Sequence, residues 1–239
     1  MGGCIGTRVC VVATVVVVVA SAWPGASQAR RASAHAEGLV ERVRALERAV
    51  IHGNFVNLHE QARWLGEHVE PSTMPTGTQR SADRIKERLA VLARATDVRV
   101  AASEAADISV SCGSCHEAAK VTPVFPRDTP SAFGSIAGHM VRHQMASDFM
   151  LEGLIVPSSA AWTTGAQQLA EAPLKRGDFP VSERIGVLMS EVETRLHAQA
   201  REAMTAVDAA ARARAYGALL TTCAGCHTRH TTLWEAPPR

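Results

Sequence analysis

The chain has 239 residues, a formal net charge of +2, 20% charged residues and only 4% aromatics. That length holds one large domain or two small ones, and the interspersed charges leave no basic stripe for nucleic acid. Abundant alanine and scarce aromatics suit helices and argue against a β-sandwich.

Residues 1–29 read as a secretory signal: Arg8 supplies a thin positive region, Val9 to Ala20 is apolar, and Ser27-Gln28-Ala29 places small residues ahead of Arg30. The apolar run is shorter than the roughly twenty residues a spanning helix needs. Membrane contact is therefore expected only if the segment stays uncleaved. The location this implies is periplasmic or otherwise exported.

Residues 30–120 form the expected first domain. A helix is predicted from about Ala34 to Gly53. Asn54 then caps a second helix through Leu58, Ala62 and Leu65, ending near His68. Pro71 to Gly77 is a loop, and a long amphipathic stretch runs from Ser81 to His116. Asp97, a good N-cap, is expected to divide that stretch into two helices. Residues 121–130 contain Pro123, Pro126 and Pro130 and read as a stiff linker. In residues 131–239, the expected second domain, the plan recurs. One helix ends near Val156, Ser158 caps the next, a loop spans Pro173 to Pro180, and helical sequence resumes from about Ser182.

The recurrence extends to individual residues. His35 aligns with His139, Leu46 with Met150, Val50 with Leu154, Ile51 with Ile155, Ala62 with Ala166 and Leu65 with Leu169, a constant shift of 104 positions. Further on the shift becomes 111, pairing Arg84 with Arg195, Asp97 with Asp208 and Ala102 with Ala213.

In that second register Cys112-Gly113-Ser114-Cys115-His116 meets Cys223-Ala224-Gly225-Cys226-His227. Cys-x-x-Cys-His is the attachment pattern of c-type haem: two thiols add across the vinyl groups, and the adjacent histidine reaches the iron. The expected cofactors are thus two covalently bound haems c, with His116 and His227 as proximal iron ligands. Zinc is the alternative for such pairs, but a zinc ribbon brings its second Cys-x-x-Cys within about fifteen to twenty residues. The pairs here lie far apart, and zinc gives no reason for a histidine directly after each.

With four helices per half and the motif late in the fourth, residues from about 34 to 119 and 131 to 231 resemble cytochrome c′ and related four-helix-bundle cytochromes. Ordinary globular cytochromes c carry the motif near the start of their domain. The resemblance implies an all-α chain of two tandem four-helix-bundle haem domains.

In an up-down-up-down bundle the first helix starts at the end where the fourth finishes. Residues near that start can face the haem, which makes His35 and His139 the expected sixth iron ligands. His143, one turn beyond His139, competes, though its counterpart is Leu39. His52 and His59 lie near the other end of the first helix, His197 and His230 are expected on the surface, and most methionines read as core packing. Trp64 and Trp162 read as core or haem-packing residues.

Bis-histidine ligation would close both irons to substrates and favours electron transfer between redox partner proteins. No nucleophilic triad, paired carboxylates or phosphate loop stands out, so the chain does not read as an enzyme. The acidic residues read as solvated helix faces. The alternative is cytochrome c′-like binding or sensing of NO or CO at a five-coordinate haem. Dihaem peroxidases resemble larger chains with the motif early in each domain.

Overall fold

A computed structural model describes residues 24–125, 136–171, 173–178 and 183–234. Its helices are α1 (Pro24–Ile51), α2 (Phe55–His68), α3 (Gln79–Leu92), α4 (Val98–Ala119), α5 (Ile136–Ile155), α6 (Ser159–Leu169), α7 (Glu183–Ala203) and α8 (Ala209–Trp234). Among the described residues there is no strand, as an all-α chain requires. Most of the expected export segment lies outside the described residues, and so does Pro126 to Pro130 of the expected linker. No described helix is long and apolar enough to cross a membrane.

The helix boundaries follow from side-chain chemistry at each start. Asn54 accepts from the Asn57 amide, Asp97 from those of Arg99 and Val100, Ser158 from Ala161 and Asp208 from Ala211. Each satisfies amides that the first helical turn leaves without a partner. Two segments expected as loops each contain a short 3₁₀ turn, Pro71–Thr73 and Arg176–Asp178. Helix α3 shows why its sequence is helical: Ala82, Ile85, Leu89 and Leu92 recur every three to four residues and are all buried.

The repeat is visible as equivalent burial. Leu46 and Met150, Val50 and Leu154, Ile51 and Ile155, Ala62 and Ala166, and Leu65 and Leu169 all lie in the core. From Ala36 onward the described residues form one compact unit. Within that unit α4 packs along α8 and against α5. Small residues permit the close approach: Gly217 lies beside the Ala102 backbone, with Ala101, Ala102, Ala105 and Ala213 all buried.

Helix α1 crosses into the second half through polar contacts as well. Arg44 pairs with Asp148 at 2.7 Å. The buried Glu47 carboxylate accepts from Ser147 Oγ at 2.5 Å and from the Tyr216 hydroxyl.

Candidate functional site

The first motif occupies the last turns of α4. Positions three and four apart on a helix share a face, so Cys112, Cys115 and His116 point the same way. All three line a cavity of about 240 Å³ whose walls include Leu39 and Val43 of α1, Leu65 of α2 and Ile85 and Leu89 of α3. Apart from the motif itself the wall is almost wholly aliphatic, with Met74 adding a thioether. Lys120 closes the helix in the left-handed conformation, φ 55°, and the Val121 amide returns to the His116 carbonyl at 3.0 Å.

His116 Nδ1 lies 2.9 Å from the Ile155 carbonyl at the end of α5. A backbone carbonyl can only accept, so Nδ1 carries the proton and Nε2 is left as the lone-pair nitrogen. This is how proteins usually fix the tautomer of a metal-ligating histidine.

The second motif repeats the arrangement on α8. Cys223, Cys226 and His227 line a cavity of about 300 Å³ that also takes in Ile51 of α1, His52 just after it, Met140 and His143 of α5 and Glu193 of α7. The His52 ring meets the His227 ring edge-on, with centroids 4.5 Å apart. The exchange between halves is reciprocal. Ile51 of the first half lines the second cavity, and its counterpart Ile155 lines the first.

The four thiols are unpaired and half-buried. Burial, reinforced by the neighbouring motif cysteine, pushes Cys112 and Cys223 up to about 12, and burial with the Glu193 charge pushes Cys226 up to about 11. Burial raises Cys115 as well, against a hydrogen bond with Thr78. Reactive redox cysteines show the opposite shift, so these are neutral thiols held in apolar clefts.

Of the expected sixth ligands, the side chain of His35 lies outside the described residues. His139 is buried and faces Glu193, with Nε2 3.0 Å from Oε2. Arg142 donates to its other nitrogen at 3.2 Å. The histidine of α5 that lines the second cavity is His143.

His197 is not on the surface, as its position suggested, but 1% exposed, with Nε2 3.0 Å from the same Glu193 oxygen. His139, His143, Glu193 and His197 form a cluster of metal-binding type whose ligand atoms all lie within 4.8 Å of one another. Burial lowers His143 to about 3 despite the Glu193 charge, so it is a neutral imidazole. Burial works to raise the Glu193 carboxyl, but hydrogen bonds from His139 and His197 outweigh it and hold the group well below the ordinary range.

Neither Glu193 nor His197 stands out when each residue is considered alone. The available signal was two pairs at i, i+4, His139 with His143 and Glu193 with His197. Each pair presents two ligand side chains from one helical face.

The chain matches no family model, no curated protein and no solved structure.

Proposed function

We propose that the chain is an exported dihaem c-type cytochrome that passes electrons between redox partner proteins. In this reading haem c is joined to Cys112 and Cys115 and again to Cys223 and Cys226, with His116 and His227 as proximal ligands. Each half supplies one four-helix haem unit of the cytochrome c′ kind, the two interlocked through α4 and α8. The observation that carries the reading is the repeated cavity. Twice, two neutral thiols and the following histidine face one cleft from the end of a long helix.

When bound, haem supplies one-electron iron chemistry whose potential depends on axial ligands, burial and hydrogen bonding. The protein's part is positional. The Ile155 carbonyl turns His116 so that Nε2 faces away from it. Leu39, Val43, Ile85 and Leu89 give the first cavity apolar walls. His35 is the proposed sixth ligand of the first haem.

A second reading, binding of NO or CO at the second haem, is favoured by one observation: His139 is engaged by Glu193 and Arg142. Its ring is therefore committed elsewhere.

Absorption spectroscopy of the exported, purified protein separates the readings. Electron transfer at two six-coordinate haems predicts two covalently attached haems per chain, both low-spin when reduced and indifferent to CO. His35→Ala should then make one haem CO-reactive. A CO response from half the haem of the unaltered protein assigns gas binding to one site. A chain without covalent haem refutes both readings.

A further inference from the structure

We propose that His139, His143, Glu193 and His197 bind a divalent transition-metal ion, a third metal site distinct from the two Cys-x-x-Cys-His motifs. Two helices supply the ligands. Helix α5 presents His139 and His143 from one face, and α7 presents Glu193 and His197 from the face opposite.

The spacing suits an ion. Bonds of about 2.0–2.1 Å to nitrogen and oxygen place tetrahedral donors about 3.3 Å apart. The distances from the Glu193 oxygens to His139, His197 and His143 are 3.0, 3.0 and 3.9 Å. The last is too long for a hydrogen bond, yet it lies within reach of a shared ion.

The rings are not fully hydrogen-bonded: His143 Nε2 and His197 Nδ1, the nitrogens opposite those measured against Glu193, are buried and have no partner. Among the described residues, the ion-pair partners of the Glu193 carboxylate are the three imidazoles. The Leu174 amide adds a long contact at 3.4 Å. A buried carboxylate is costly unless it is paired, and a divalent cation at its centre lowers that cost. Ligation through His139 Nε2 moves its proton to Nδ1, so the half-buried Arg142 guanidinium must swing away.

The donor set limits the ion. Three imidazoles and one carboxylate, with no thiolate, suit zinc, iron, copper or nickel rather than calcium or magnesium. The cluster is also not a by-product of the repeat. The equivalent positions in the first half hold His35, Leu39, Ala82 and Lys86. There Leu39 and Ala82 line an apolar cavity, and Lys86 pairs with Glu70. The second half alone carries the full set. Two of its members, Glu193 and His143, also form part of the wall shared with Cys223, Cys226 and His227, so the ion is reached from that cavity.

The test is zinc binding by the full-length purified protein, stripped with chelator and re-dialysed, with haem content measured separately from covalent haem absorbance. The expected result is one zinc per chain by elemental analysis, held at least tenfold more weakly in His197→Ala and in His139→Gln. Glu193→Ala should behave alike if circular dichroism shows it folded, and the histidine variants decide the matter if it is not. Zinc-edge X-ray absorption should give a nitrogen and oxygen shell near 2.0–2.1 Å with imidazole scattering. No retained zinc, retention unchanged in both histidine variants, or a sulfur shell near 2.3 Å, which would place the ion at the motif thiols, overturns the proposal. None of these readouts depends on haem, so failure of the site and failure of the cytochrome reading are told apart, although an ion held by His139 and His143 takes both rings from the second haem.

Discussion

His52, the residue after α1, lies edge-on to His227 of the second motif, with ring planes at 83°. The contact joins the two halves at the ring proposed to hold iron. Gly53 makes it geometrically feasible. It leaves α1 at φ +63°, and a Cβ there would sit 2.5 Å from Thr228 Cγ2. Edge-to-face aromatic pairs are worth about 0.5–1.5 kcal/mol, equivalent to about 20–60 mV for a one-electron couple. His52→Ala should therefore move one haem potential by up to that amount and leave the other in place. A redox titration showing both unchanged would mean that the contact does not influence the iron ligand.

Two glycines inside the motifs should respond in opposite ways. A Cβ on Gly113 would lie 2.1 Å from the Leu154 carbonyl, so only glycine lets α4 lie this close to α5. Gly225 has nothing within 4 Å of its missing Cβ. Gly113→Ala should destabilise the fold by about 1–3 kcal/mol through overpacking. Gly225→Ala should stabilise it by up to about 1 kcal/mol, because alanine loses less entropy in a helix. Urea denaturation of the two variants checks the sign of each change. Equal effects would show that α4 and α5 are not in this contact.

The helices were legible because their signals are local. Asn54, Asp97, Ser158 and Asp208 each bond amides two or three residues away, which sequence spacing alone can predict. The motif residues were legible for the same reason, since i, i+3 and i+4 spacing fixes a common face. What crosses between distant segments was not. Ile155 reaches His116 from the other half, and nothing local to either residue says so. Glu47 looks like any surface glutamate until Ser147 and Tyr216 are brought to it from α5 and α8. Likewise, Glu193 is buried because three histidines from two helices converge on it. The sequence makes these carboxylates look solvated because charge along a helix does not reveal which face a neighbour will cover.

The caps of α4 and α8 give a quantitative check on the local signals. Asp97 Oδ1 accepts from Arg99 and Val100 at 2.8 and 3.2 Å, and Asp208 Oδ1 from Ala211 at 2.7 Å. Removing an N-cap aspartate typically costs about 1 kcal/mol. Asp97→Ala and Asp208→Ala should each lower stability by about that amount in thermal or urea unfolding. Loss from only one of them would mean that the two repeats do not start their motif-bearing helices alike.

Glu47 should give the fold a specific dependence on pH. Burial first, and the Asp148 charge second, push its carboxyl up to about 8, from 4.5 where it is unhindered. Hydrogen bonds from Ser147 and Tyr216 only partly offset this. Below pH 4.5 the folded and unfolded chains both hold the proton. Between 4.5 and 8 the unfolded chain has released it while the folded chain keeps it, so stability falls as pH rises through that window. Above 8 both are ionised and this contribution levels off. Glu47→Gln removes the titration and leaves an amide oxygen to accept from Ser147 and Tyr216. The stability difference between variant and unaltered protein should therefore shift in the variant's favour from pH 5 to pH 8, which cancels every other titrating group common to both. Urea unfolding at the two pH values measures that difference directly. A difference independent of pH would mean that Glu47 is already ionised in the folded protein at pH 5.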